Sequence, residues 1–318
     1  MCTEIYLGSS GNLRWNTTGI TVLTASPPLA ASGIYIDAND TLYAVDESSN
    51  YVIWKLPKNA VNATIIAGTK GSPGSTDNRF NYPNDVYVDR NGNLYVVDTD
   101  NYRIQKFVNG SMNGVTIAGI LGSFGSALNQ LYTPLCITFD SNDTYMYVAD
   151  YGNHRIMRYS TTSTSGMNGI LVAGGNGGSD ANTSLNSPWG IHHLSSVSDD
   201  LFIINTVGHS VMRWTPGASS GTFVAGIPGI AGATSAHLSN PAGVKIDRYL
   251  NIYVADRGNH RVQMFCNNNQ TGITIAGTGI SGSSATQLSL PRGIAFDSAM
   301  NLYVGDAVNN RVQKFLKL

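Results

Sequence analysis

Glutamate is almost missing from this chain: two occur, Glu4 and Glu47, against eighteen aspartates, so helix formers are few and turn formers many. Long helices are excluded on that ground. Charge is scarce as well, with charged residues at 12% of the 318, about half the share of an average soluble domain. The 19 basic and 20 acidic residues nearly cancel, which argues against a nucleic-acid partner, because polyphosphate binding needs clustered Lys and Arg. No apolar run approaches the ~18 residues of a membrane span. The start, Met1-Cys2-Thr3-Glu4, lacks the basic and apolar stretches of a secretory signal. Three cysteines, Cys2, Cys136 and Cys266, cannot all pair within one chain, and none stands at metal-ligand spacing to another. Asn, Ser and Thr abound, with sequons such as Asn16-Thr17-Thr18 and Asn142-Asp143-Thr144. That surface leans extracellular and the missing signal leans the other way, so the compartment stays open.

What is there is a repeat. Pro83 to Phe107 reads PNDVYVDRNGNLYVVDTDNYRIQKF, and Pro241 to Phe265 reads PAGVKIDRYLNIYVADRGNHRVQMF. The Asp closing the first apolar run recurs as Asp37, Asp89, Asp140, the equivalent Leu194, Asp247 and Asp297, at spacings of 52, 51, 54, 53 and 50 residues. Six units of that period fill the chain. Within each, apolar residues alternate as in Val86-Tyr87-Val88, which is strand periodicity. Polar turns such as Asp89-Arg90-Asn91-Gly92-Asn93 separate the runs, and a fourth run such as Thr116-Ile117-Ala118-Gly119 completes the unit. Four-stranded antiparallel units at this spacing predict an all-β, six-bladed β-propeller. The last unit stops after three runs, whereas Ile20-Thr21-Val22-Leu23-Thr24 is a fourth run with no three before it. The N-terminal strand is therefore expected to complete the last blade and seal the ring. The domain expectation is an extension over residues 1–19 and a single propeller over 20–318.

The frame seen most fully in Pro291-Arg292-Gly293-Ile294, Asn301-Leu302-Tyr303-Val304-Gly305-Asp306 and Asn310-Arg311-Val312-Gln313-Lys314-Phe315 resembles the NHL repeat. The resemblance covers nearly everything from residue 20 onward. It implies a propeller of the kind used mostly as a protein- or RNA-binding module, in some families attached to a ubiquitin-ligase tripartite motif. A related six-bladed propeller forms the amidating lyase of peptide-hormone maturation. No RING-type array of cysteines and histidines is visible, so ligase activity would have to come from another chain.

The Asp closing each second run is followed five residues later by Arg in four blades: Asp98 and Arg103, Asp150 and Arg155, Asp256 and Arg261, Asp306 and Arg311. Recurrence in blade after blade suits a structural turn pair. Blade four carries Asn205 and Ser210 instead, and blade one keeps Asp46 with Tyr51 at the arginine position. His154, His209 and His260 occupy one repeat position in consecutive blades. Such positions lie roughly 10 Å or more apart given strand spacings near 4.8 Å, too far to share a zinc whose ligands sit about 2 Å away. They read as turn histidines. His192 differs, because first strands line the channel, but the matching positions are Tyr35, Tyr87, Thr138, Lys245 and Ala295, so a three-histidine lyase site is not assembled. No metal or cofactor is expected, with His192 the residue to test.

Long Gly/Ser-rich loops join each fourth strand to the next first strand, and loops on a rigid scaffold are where binding resides. Aromatic and Arg residues there, Arg79, Phe80, Tyr82, Tyr102, Tyr132, Tyr151, Trp189 and Arg292, are the expected anchors for a protein or peptide partner. The competing reading is that an aromatic beside each first-strand Pro merely packs the loop onto its blade. The expectation is a monomeric, non-catalytic binding propeller. The alternatives are a metal-dependent propeller enzyme, amidating-lyase-like or lactonase-like, or the substrate-recognition module of a ubiquitin-ligase assembly. The lactonase alternative rests on the likeness of Asp89 to Asn93 to a calcium loop, which ordinary turn rules read as a hairpin.

Overall fold

The structure is a computed structural model and describes residues 14–318 except 27, 195 and 196. Six sheets of four strands each form a six-bladed β-propeller. The first strand, β1 (Ile20–Leu23), belongs to the last blade. Blade one is β2 (Ala31–Ile36), β3 (Leu42–Asp46), β4 (Val52–Leu56) and β5 (Thr64–Ala67). Blade two is β6 (Pro83–Val88), β7 (Leu94–Asp98), β8 (Arg103–Phe107) and β9 (Val115–Gly119), and blade three β10 (Pro134–Phe139), β11 (Tyr145–Asp150), β12 (Arg155–Ser160) and β13 (Ile170–Gly174). Blade four is β14 (Pro188–His193), β15 (Leu201–Asn205), β16 (Ser210–Trp214) and β17 (Thr222–Gly226), and blade five β18 (Val244–Ile246), β19 (Ile252–Asp256), β20 (Arg261–Phe265) and β21 (Gly272–Ala276). Blade six is β22 (Pro291–Phe296), β23 (Leu302–Asp306) and β24 (Arg311–Phe315), completed by β1.

The expected closure is observed: β1 pairs antiparallel with β24, Ile20 opposite Lys314 and Thr21 opposite Gln313. Residues just ahead of it also lie on blade six. Trp15 is 5% exposed, packs near Tyr253 and Phe296, and donates its indole N–H to the Met300 carbonyl at 2.8 Å. The core lies between blades, where inward faces of neighbouring sheets interdigitate. Tyr95 and Val97 of blade two, for example, share one cluster with Ile137, Phe139 and Met146 of blade three. Each such residue, fully buried, contributes about 1.5–3 kcal/mol.

The Asp–Arg pairs do more than cap turns. Arg103 Nε meets Asp98 at 2.8 Å, Arg155 meets Asp150 at 2.7 Å, and Arg261 and Arg311 meet Asp256 and Asp306 at 2.8 Å. The other carboxylate oxygen accepts a backbone N–H from the preceding long loop: Asn81, Tyr132, Ser239 and Ser289 respectively. The guanidinium donates back into that loop, Arg155 to the carbonyls of Ser126, Ala127 and Gln130. Burial pushes the Asp98, Asp150 and Asp256 carboxyls up against the pull of these donors. In blade four Asn205 keeps the loop bond, from Asn186 N–H at 3.2 Å, but Asn205 Nδ2 and Ser210 Oγ lack partners. Blade one differs from the sequence alignment. Asp46 pairs across the strands with Val52, not with Tyr51, because its turn is one residue longer. Asp46 accepts instead from Trp54 Nε1 at 3.3 Å and from Asn50.

The short first-to-second turns are hairpins held by their own Asp. Asp89 accepts from Asn91 and Asn93 N–H, Asn93 Nδ2 and the Tyr95 hydroxyl, so its oxygens are filled from within the turn.

Candidate functional site

The first strands bend inward at a register shift, between Pro83 and Val86 in blade two and at matching places in four other blades. That bend brings Gly33, Asp85, Cys136, Gly190, Gly243 and Gly293 to one level of the channel. The glycines there let neighbouring strands touch. A Cβ on Gly190 would lie 2.2 Å from the Ala242 carbonyl oxygen, and one on Gly243 2.3 Å from that of Arg292. The two side chains at this level stitch the remaining strands together: Asp85 Oδ2 accepts Ile137 N–H at 3.0 Å, and the Cys136 thiol lies 3.9 Å from the Ile191 carbonyl. Burial raises both, the Asp85 carboxyl and, further pushed by Asp85, the Cys136 thiol. The channel is thus pinched into two separate mouths.

On the face of the short turns lies the larger one, a funnel of about 810 Å³. Its walls carry one such residue from each of blades one to five, Tyr35, Tyr87, Thr138, His192 and Lys245, with Asp37, Asp89 and Asp143 at the rim. Of the adjacent histidines, His192 faces this space, while His193 packs toward blade three, near Tyr147, with ring nitrogens at the Phe139 carbonyl and Asp199. Burial, then the Lys245 charge, holds the His192 imidazole well below its usual range. Among the described residues no three His, Cys, Asp or Glu side chains come together as metal ligands. Cys136 is free, Cys266 is disulfide-bonded, and Cys2 lies outside the described residues.

The other mouth lies on the loop-rich face. Here the long loops and the second-to-third turns meet, Asp100 N–H on the Asn81 carbonyl and Gly152 N–H on that of Tyr132. Trp189 and Arg292, two expected anchors, converge at this mouth. Arg292 pairs with Glu47, Asn84 Nδ2 reaches the same carboxylate at 3.4 Å, and Trp189 Nε1 donates to Asn84 Oδ1 at 3.1 Å. The guanidiniums of Arg257 and Arg292 lie 5.8 and 5.6 Å from the Trp189 ring. Two cations therefore face one carboxylate. Burial and the charge of Arg292 lower the Arg257 pKa, and Nε of both arginines is buried without a partner.

Further out, Tyr102, Phe124 and Tyr132 form an aromatic ledge: Tyr102 to Phe124 at 5.2 Å, and Phe124 stacked on Tyr132 at 5.1 Å. Phe124 is 57% exposed and Tyr132 41%. Tyr82 makes a separate pair one blade earlier, edge-on to Tyr51 at 6.2 Å. Tyr151 is half-buried in the turn after β11, and Arg79 is exposed on its loop. Phe80 does not belong with them. It is fully buried against Phe107 at 5.6 Å, and the equivalent Leu131, Leu185, Leu238 and Leu288 are buried just as completely. That apolar column, three residues before each first-strand Pro, marks a core position in the sequence itself. Phe124 sits in a loop outside the repeated frame, whereas Glu47 and Arg257 share a variable position of it, the residue after the Asp that closes the second run.

The three turn histidines fasten one blade to the next. Each adopts left-handed backbone, with φ of 52° or 53°. Each Nδ1 accepts a backbone N–H from the following blade: His154 from Ser187, His209 from Asn240, His260 from Leu290, all at 3.1 Å. A protonated ring cannot accept there. Burial lowers the His209 pKa, so the unfolded chain takes up the proton first and stability falls as pH drops below about 6.5. His209→Asn, borrowing the residue that blade six carries at Asn310, should flatten that part of the decline. Melting temperatures of both proteins between pH 7.5 and 5.5 check this, and parallel curves would refute it.

A ring of six four-stranded blades closed by its N-terminal strand defines the class: a six-bladed β-propeller. The NHL repeat model matches residues 80–107 and 238–265, in blades two and five. The chain is 27% identical over 287 residues to the protein SUPPRESSOR OF QUENCHING 1, chloroplastic, of Arabidopsis thaliana, covering 80% of this chain and 27% of that one. It thus spans about a quarter of that relative's length. Among solved structures it is similar to a Bacteroides thetaiotaomicron protein of unknown function (TM-score 0.71, 14% identity, 96% of this chain and 73% of that one). It is also similar to virginiamycin B lyase from Staphylococcus aureus (TM-score 0.62, 13% identity, 96% and 100%). At these identities the structural likeness shows the fold alone.

Proposed function

We propose that the protein is a non-catalytic binding module that takes a protein or peptide partner on its loop-rich face. The observation that carries this reading is the ledge of Tyr102, Phe124 and Tyr132, large aromatic surface left open to solvent on a rigid support. The Tyr132 backbone is held by Asp150 at 2.7 Å, so ordering it costs a partner little. The mouth adds a second anchor, Trp189 with Arg292 and Arg257, whose spare positive charge suits an acidic residue of the partner.

Selection of a displayed random-peptide library on the immobilised propeller tests this. Binders are expected to weaken at least tenfold, about 1.4 kcal/mol, on Phe124→Ser/Tyr132→Ser. They should be indifferent to Arg248→Ala on the opposite face. Both aromatics are exposed, so the melting temperature should barely move. A library that yields no binder, or binders unaffected by the double substitution, would overturn the proposal.

A further inference from the structure

The funnel on the short-turn face is not used by the partner-binding reading, and its chemistry is divided between two sides. Blades one to three supply tyrosines and carboxylates. Tyr35 and Tyr87 lie 4.9 Å apart, and Tyr87 stacks flat on Phe139 at 3.9 Å. The Tyr87 hydroxyl donates to Asp143 at 2.7 Å, Asp37, Asp89 and Asp140 complete that rim, and two cations line it as well: Arg90, whose Nε pairs with Asp143 at 3.0 Å, and Lys55. Four carboxylates against two cations leave that side net negative, and burial, then Asp37 and Asp143, push the Tyr35 hydroxyl up to about 12. Blades four and five supply the opposite character. Lys245 has no hydrogen-bond or ion-pair partner among the described residues, and beside it the His192 ring likewise makes no side-chain hydrogen bond. Blades two and five are three apart in a ring of six, so Lys245 and Tyr87 face each other across the funnel.

Lys245 makes no direct ion pair among the described residues, and the one carboxyl that feels its charge, Asp85, is pushed toward its neutral form by burial. Such an ammonium in a half-buried cavity asks for an anion, and an aromatic wall with a surplus of carboxylates asks for a cation. The cavity, at about 810 Å³, falls within the size range of small-molecule sites. We infer that the funnel binds a small zwitterion, its carboxylate on Lys245 and its ammonium against the Tyr35 and Tyr87 wall. The neck of glycines closes the inner end, so such a ligand enters and leaves by the short-turn face.

Calorimetric titration of the full chain with glycine, L-phenylalanine, 6-aminohexanoate and glycyl-phenylalanine tests this, with hexanoate and hexylamine as single-charge controls. At least one zwitterion should bind, at least tenfold more tightly than the control lacking either of its charges. Lys245→Met should weaken it at least tenfold, and Lys245→Gln, which keeps length and polarity, serves if the methionine variant does not fold. Asp143→Asn should weaken hexylamine and the zwitterion but leave hexanoate unchanged. No binding by any of the four, a control as tight as its parent, or a lysine variant of unchanged affinity would each overturn the inference.

Discussion

A chain that begins at Ala25 should aggregate, or melt far below the full-length protein. Without β1, the strand β24 becomes a bare edge whose N–H and C=O groups await pairing with another chain. Trp15 and Leu23, at 5% and 6% exposure, also leave the core. Loss of Trp15 alone, as Trp15→Ala, should cost about 3–5 kcal/mol, the usual range for emptying a buried aromatic site. A synthetic peptide of residues 14–24 added to the shortened chain should restore part of the melting temperature, because the missing element is one strand with a known register. Light scattering and thermal melts read both effects. A shortened chain that stays monodisperse and melts with the parent would show that closure lies elsewhere.

Asp98→Ala is the second large effect. Arg103 is 1% exposed, and its guanidinium would be left in the interior without its carboxylate while Asn81 N–H lost its acceptor. Removing one partner of a buried ion pair costs about 3–5 kcal/mol. Blade four shows the milder route, since Asn205 and Ser210 dispense with both charges and keep the loop bond. Asp98→Asn/Arg103→Ser should therefore recover more than half of what the alanine variant loses. Denaturant midpoints measured on the three proteins decide it, and an alanine variant less than about 1 kcal/mol down would mean that the pair is not what holds the loop.

The blades were legible in the sequence because every unit writes its strands in the same alternation and its turns in the same Asp, Asn and Gly. Even the closure followed from counting runs. Blade one was misaligned at its second turn because the extra residue between Asp46 and Val52 adds no new residue type. The aromatic ledge was partly visible through Tyr102 and Tyr132, yet Phe80 looked like their companion, since a loop position says nothing about which way a ring turns. The funnel was harder to see. Its walls take one residue from each of five blades, about fifty positions apart, so Lys245 and Tyr87 share no local pattern and meet only through the geometry of the ring.

The pinch between the two mouths is built of main chain, with the glycines at 190 and 243 allowing strand to touch strand. At the glycine strands trimming side chains cannot widen it, because there is nothing left to remove; only Asp85 and Cys136 contribute side chains at this level. The neck is a septum: a residue changed on one side leaves the lining of the other untouched, so the two mouths are free to diverge independently.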